Sequence, residues 1–213
     1  MRGDSIKNLL EVISRLRAPD GCPWDREQTH KSIRGHLVEE CAELLEAIDN
    51  NNTEEMREEL GDVLMHILLH CQIANEENRF DFDDVANELA DKLVRRHPHV
   101  FGERKAENAD EVIGIWKDVK KKENKKRVIG GLFDGIPPQL SALRYALDIA
   151  KKADSETIAI AKNAADTKNS AQLEIGKKLF EYVEEAVKAK IEPESALRDF
   201  IAEIKIADAN KDA

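Results

Sequence analysis

The chain has 213 residues, 36% of them charged and 41% hydrophobic, with 5% aromatic residues, ten Gly and six Pro. That length fits one domain of ordinary size, or one with an appendage, and so few aromatic residues leave little material for a β-sandwich or barrel. Lys and Arg number 33 against 43 Asp and Glu, a net charge of -10, which argues against stable nucleic-acid binding on a broad basic surface and leaves single nucleotides and metal ions open.

The segment Met1-Arg2-Gly3-Asp4-Ser5-Ile6-Lys7 has no apolar stretch behind its charge, and no apolar run of about 18 residues follows anywhere. Cys22, Cys41 and Cys71 are odd in number and form no CxxC pair, which suits a reducing compartment better than a disulfide framework or a thiolate zinc site. A soluble cytoplasmic protein with no membrane partner is expected.

Apolar residues recur at helical spacing almost throughout and predict helices over 4–17, 31–49, 54–78, 83–97, 109–124, 139–153, 171–189 and 194–207. Thr53 and Asp81 are expected N-caps, and Asn108 with Glu111 has the spacing of a capping box. Between the first two helices, 17–25 reads as the longest irregular loop, with Trp24 beside Pro23. A basic tract from Lys117 to Arg127, then Gly130-Gly131 and Gly135-Ile136-Pro137-Pro138, marks a boundary. Beyond it the chain is Ala- and Lys-rich, periodicity weakens over 154–170, and a less stable helical appendage is expected.

From Glu39 to Asp62 the chain carries ten acids and one base, Arg57. On a helical wheel Leu37, Cys41, Leu44, Leu45 and Ile48 form an apolar stripe, with Glu40 and Glu43 side by side at its flank. From Leu60 to Ile73 apolar residues cover nearly the whole circumference, as in a helix buried on all sides, interrupted by one stripe of Glu59, Asp62, His66 and His70. A solvated acidic face is the ordinary explanation of such acids. Here no Lys or Arg stands between Asp62 and Arg79 to neutralise that stripe, and the short Asp49–Asn52 turn makes the two helices antiparallel, so that the Glu40/Glu43 pair can face Glu59/Asp62. Four carboxylates converging in this way form a hard-cation site suited to Mg²⁺.

His66 and His70 could be ligands, but Mg²⁺ prefers oxygen, so supporting or core roles are expected. Gly61 either allows a close approach of backbone or ligand or is a C-cap or packing gap. His97-Pro98-His99 reads as a helix stop with exposed imidazoles rather than a metal pair. Lys92, Arg95 and Arg96 share one helical face, either solvated or ready to meet the phosphates of a metal-bound polyphosphate.

Five segments together resemble the MazG-type nucleoside triphosphate pyrophosphohydrolases of the all-α NTP pyrophosphatase superfamily. They are Cys22-Pro23-Trp24-Asp25-Arg26-Glu27-Gln28-Thr29-His30, Glu39-Glu40-Cys41-Ala42-Glu43, Glu59-Leu60-Gly61-Asp62, the stretch from Lys92 to Phe101, and Trp116, Lys120 and Glu123. The resemblance covers about 5–135 and implies an all-α bundle completed by dimerisation or higher homo-oligomerisation, plus a helical C-terminal appendage. It implies Mg²⁺-dependent hydrolysis of NTPs or dNTPs to monophosphate and pyrophosphate by water attack at the α-phosphate, with Mn²⁺ as a substitute ion. Glu40, Glu43, Glu59 and Asp62 then look like the metal ligands. Glu39 is a candidate to orient or deprotonate the water, with a salt bridge or simple solvation as the alternative. Lys92, Arg95, Arg96 and Lys120 would meet the departing pyrophosphate, Trp24 could stack on the base, and Trp116 is expected to pack.

Ala42 stands where many members carry an aromatic residue. Residues 1–130 are read as the catalytic domain and 131–213 as a linker and shortened second copy, because Leu173-Glu174-Ile175-Gly176-Lys177 echoes Glu59-Leu60-Gly61-Asp62 with Lys177 in place of the acid. A catalytically silent nucleotide- or partner-binding regulator is the competing reading.

Overall fold

A computed structural model describes residues 4–124, 131–168 and 170–211, and among them all regular structure is helical. The chain divides into two compact units, Met1–Lys120 and Lys121–Ala213. Of the expected boundary, Lys125, Lys126, Arg127 and Gly130 lie outside the described residues, as do Met1, Arg2 and Gly3 at the chain start. No described helix is long and apolar enough to cross a membrane.

The first unit begins with α1 (Asp4–Arg17), the short α2 (Pro23–Glu27), α3 (Arg34–Asp49) and α4 (Thr53–Glu76). It continues with α5 (Phe82–Arg96), the single-turn α6 (Pro98–Phe101) and α7 (Ala109–Asn124). Helix α2 is a correction to the irregular loop expected over 17–25: Pro23 sits at its first position, where its missing N–H costs nothing. Gly21 makes the preceding turn possible, because a Cβ there would lie 2.3 Å from the Leu16 carbonyl oxygen.

Helices α3 and α4 are antiparallel, joined by a turn in which Asn51 takes the left-handed conformation at φ 53°. The N-cap of α4 is Asn52, not the expected Thr53: its side chain accepts from the N–H groups of Glu54 and Glu55 at 3.2 and 3.3 Å. Thr53 is already the first helical residue. Asp81 caps α5 as expected, in a reciprocal box with Asp84. Asn108 accepts from the Glu111 N–H at 3.0 Å, but the returning Glu111 carboxylate binds the N–H of Glu107 rather than that of Asn108.

Ile13 of α1, Ile33 before α3, and Leu68, Leu69 and Ile73 of α4 form the core, flanked by Leu9, Leu10, Leu64, Met65 and Phe82. Burial of α4 is therefore confined to its second half, His66–Ala74, and the expectation of a helix buried on all sides does not hold in the single chain: Leu60 and Ile67 are exposed. The α3 stripe is likewise open at Cys41, Leu45 and Ile48, with Ala47 as its buried residue. Gly61 lies in mid-helix, and an added Cβ there meets nothing within 4 Å, so it is neither a C-cap nor a point of close contact within the chain.

The second unit contains α8 (Ala142–Lys152), α9 (Ser155–Thr167), α10 (Ala171–Ala189) and α11 (Pro193–Ala209). Helix α9 occupies the stretch of weak periodicity that no helix was expected to fill. Asp154 caps it, accepting from the Thr157 N–H at 2.7 Å. Leu147 and Val183 are fully buried, and α10 packs on both α8 and α9. Lys177 pairs with Asp166 at 2.6 Å.

Three substitutions test this packing by denaturant unfolding. Leu68→Ala should cost about 3 kcal/mol, because its side chain is fully enclosed. Asn52→Ala should cost about 1 kcal/mol through the lost cap. Gly61→Ala should stabilise by about 0.8 kcal/mol, since the new methyl meets open space in a helix interior.

Candidate metal centre

The core end of the α3–α4 hairpin fixes where its acidic end sits. Oxygens of Glu40 and Glu43 on α3 and of Glu59 on α4 lie within 4.8 Å of one another. Asp62, one turn beyond Glu59, is half-buried and stands outside that group. Its charge nevertheless reaches Glu59. The carboxyl of Glu59 is raised above its ordinary range, first by burial and then by the charges of Glu43, Asp62, Glu40 and Glu58. Every charge acting on it is acidic, and its Oε2 is buried without a hydrogen-bond partner among the described residues.

These observations test whether a cation fits. A carboxylate with an orphaned oxygen, among like charges and without a neutralising Lys or Arg, is destabilised unless a cation joins it. An all-oxygen donor set of carboxylates suits Mg²⁺ or Mn²⁺ rather than a soft metal. Glu40, Glu43 and Glu59 fit such an ion, with Asp62 within electrostatic reach of the same place.

Histidines flank the acids instead of joining them. His66 is 2% exposed, and its Nε2 lies 3.8 Å from Glu40 Oε1, beyond hydrogen-bond length. His70 faces His30, with the two Nδ1 atoms 2.7 Å apart and the rings stacked. Burial first, then His30 and His66, push the His70 imidazole below its usual range. That keeps it neutral, as a hydrogen bond between two imidazoles requires of at least one ring.

Glu39 is exposed and accepts from His36 Nδ1 at 3.0 Å. His36 in turn meets the ring of Trp24 at 6.2 Å and that of His66 at 6.4 Å. Trp24, 54% exposed on α2, is thus linked through one imidazole to both Glu39 and the neighbourhood of Glu40. Arg17 anchors the Trp24 segment: its nearly buried guanidinium binds Glu76 at 2.6 Å, the carbonyl of Gln28 at 3.2 Å and the carbonyl of Asp25. That bond holds the Glu76 carboxyl below its ordinary range.

The remaining candidates sit on other helices. Lys92 and Arg96 are half-buried and Arg95 exposed near the end of α5, while Lys120 is exposed on α7. His97 and His99 are half-buried, which corrects the exposed imidazoles expected there, and Trp116 donates its indole N–H to His97 at 3.2 Å rather than simply packing. The sequence reading missed His30, His36 and this role of His97. For His36 a signal existed, since it precedes Glu39 and Glu40 by three and four residues on one helix. The His30–His70 and His97–Trp116 contacts join distant segments and leave no local spacing to read.

The family model for the MazG nucleotide pyrophosphohydrolase domain matches residues 28–101, which carry all four acids and the basic end of α5. A Thermotoga maritima protein named nucleoside triphosphate pyrophosphohydrolase/pyrophosphatase MazG is 37% identical over 212 residues, covering 92% of this chain and 81% of its own. The chain belongs to the MazG family. An Escherichia coli K12 member named nucleoside triphosphate pyrophosphohydrolase is 43% identical over 150 residues, 70% of this chain and 57% of its own. A crystal structure of a mazG-related protein from Thermotoga maritima is similar at a TM-score of 0.48 and 30% identity, over 54% of this chain and 98% of that one. The chain thus spans little more than half of the E. coli relative and 30% of another curated one. The family model ends before Trp116 and Lys120 and begins after Trp24, so those three lie outside the matched residues.

The sign of the pH dependence follows from Glu59. Glu59 keeps its proton to higher pH in the native state than in the unfolded chain, so its own contribution to metal-free stability is greatest at low pH and falls as pH rises through the raised native value, opposite in sign to that of Glu76, whose carboxyl is held low. Chemical denaturation in EDTA at low salt between about pH 4 and pH 7, run beside Glu59→Gln, should resolve this downward component of the slope. Glu59→Gln should flatten it and raise stability at the upper end, while abolishing Mg²⁺ binding by calorimetry.

Proposed function

We propose that this chain hydrolyses nucleoside triphosphates, NTP or dNTP, to the monophosphate and pyrophosphate in an Mg²⁺-dependent reaction, with water attacking the α-phosphate. The observation that carries the reading is the Glu40–Glu43–Glu59 group with its orphaned Glu59 oxygen, set in a chain whose relatives are named for this activity.

Glu40, Glu43, Glu59 and Asp62 would hold the ion. Bound Mg²⁺ supplies Lewis-acid polarisation of phosphate oxygens. Glu39, exposed and oriented by His36, is the group to align the attacking water and take its proton as the new P–O bond forms and the bond to the β-phosphate oxygen breaks. Lys92, Arg95, Arg96 and Lys120 would offset the charge that builds on the departing pyrophosphate. Trp24, presented at the surface beside His36, offers a flat face for the base.

Residues 131–213 are, in this reading, a linker and a shortened second copy without metal ligands. Its support is local: Lys177, at the position that echoes Asp62, is neutralised by Asp166. The exposed Val38, Leu45, Ile48, Leu60 and Ile67 of the hairpin support a bundle completed by a homodimer or higher homo-oligomer. The free cysteines Cys22, Cys41 and Cys71 support a cytoplasmic setting.

Resolving the products from a panel of NTPs and dNTPs tests the proposal. Monophosphate with pyrophosphate, formed with Mg²⁺ and not in EDTA, is the expected result. Diphosphate with phosphate would move the attack to the γ-phosphate, and nucleotide binding without products would make the chain a silent regulator. Asp62→Asn should lose at least about a hundredfold in turnover while keeping its unfolding midpoint. A fully active variant would remove Asp62 from the ion's surroundings.

A further inference from the structure

The contact between His97 and Trp116 has no place in the metal centre, yet both of its partners are chemically determined. His97 closes α5. Its backbone N–H donates to the carbonyls of Leu93 and Val94 at 3.1 and 3.3 Å, and its ring Nδ1 lies 2.6 Å from the same Leu93 oxygen. A carbonyl oxygen only accepts, so Nδ1 carries the proton and Nε2 of the neutral ring is a bare acceptor. An indole nitrogen only donates. Trp116 Nε1–H meets His97 Nε2 at 3.2 Å, with the rings edge to face at a centroid distance of 5.2 Å and 78°. Each nitrogen of His97 thus has one partner of the right polarity, and its tautomer is set by its neighbours.

The imidazole is therefore a connector between the end of α5 and the middle of α7. On the α5 side stand Lys92, Arg95 and Arg96, within the last turns before His97; on α7, Lys120 lies one turn beyond Trp116. Burial holds α7 at Ile115, 9% exposed, and does little for the indole itself, because Trp116 is 41% exposed and Ile113, one turn before it, 51%. The ion pair between Arg104 and Asp118 of α7, at 3.8 Å, joins two side chains that are more than half exposed, and such pairs contribute little.

We propose that His97 is a positioning residue: by accepting the indole N–H of Trp116 it holds α7, and with it Lys120, in register with the basic end of α5, so that both groups can meet one triphosphate. This rests on the nucleotide reading given above. His97 touches no reacting atom and acts through Trp116 and Lys120.

The chain has two tryptophans, so the ¹⁵N-labelled full-length protein gives two indole N–H resonances, told apart by Trp24→Phe. In His97→Phe the Trp116 resonance should move upfield and lose protection from exchange while that of Trp24 stays. His97→Gln, whose amide oxygen reaches the place of Nε2, should keep the resonance near its original position and gives the same answer if the Phe variant does not fold.

In turnover, His97→Phe should lower kcat/KM about tenfold, and His97→Gln less. Lys120→Ala should then cost markedly less in the His97→Phe background than in the parent, because residues acting as one unit are not additive. An unmoved Trp116 resonance in His97→Phe would remove the bond, and equal Lys120→Ala penalties in both backgrounds would remove the positioning role. A parent protein that yields no product from any nucleotide would overturn the pyrophosphohydrolase reading, and the indole resonance would still decide the bond.

Discussion

Like charges have to be held together across the α3–α4 hairpin, and the rest of the first unit is arranged around that constraint. Glu40, Glu43 and Glu59 repel one another, and burial of Glu59 sharpens the repulsion by removing water from one of its oxygens. No Lys or Arg is among the charges that act on Glu59. The offset lies one or more turns away, where Ile33, Leu68, Leu69 and Ile73 are almost fully enclosed and clamp the helices from the other end. A hydrophobic core at one end of a two-helix lever fixes an unfavourable charge arrangement at the other. Such an arrangement leaves the three acids poised for an added cation, whose binding would relieve the repulsion.

The same logic explains why α1 and α2 matter to a site they do not line. Arg17 leaves α1 as a nearly buried guanidinium and spends its donors on Glu76 at the far end of α4 and on carbonyls of the α2 segment. One cation thereby fixes the end of the acidic helix and the short helix α2 that carries Trp24. With Gly21 permitting the tight turn, Trp24 is delivered to His36, and His36 to Glu39. The aromatic surface and the candidate base are coupled through backbone placement rather than through any direct contact between them.

How much of this was legible in the sequence divides along the range of the interactions. The positions of the longer helices apart from α9, the Asp81 cap and the grouping of Glu40 with Glu43 depend on residues three or four apart, and such spacings are written in the chain, whereas the short α2 and the weakly periodic α9 were not read from it. The facing of Glu59 toward them also followed, because a short turn leaves two helices no other direction. What failed was burial. The apolar residues of α4 around Leu60 and of α3 around Leu45 looked like core, but periodicity states which face is apolar and not what covers it, and in the single chain these faces are open. The capping choice at Asn52 over Thr53 turned on one residue of phase, below what spacing resolves. The partners of His30, His36 and His97 depend on the assembled fold.

In the second unit one position shows a different way of balancing charge between helices. Lys177 stands where the echo of the acidic helix would carry an acid, and in the folded unit its ammonium meets Asp166 on the neighbouring α9, which holds that ammonium above its ordinary range. Lys162 does the same for Glu184 and Glu181 across α9 and α10. Both pairs join α9 to α10 through a lysine. Here the cation is covalently part of the chain. A helix pair whose acids are met by its own lysines needs no added cation to hold those charges together, in contrast to the Glu40–Glu43–Glu59 group of the first unit.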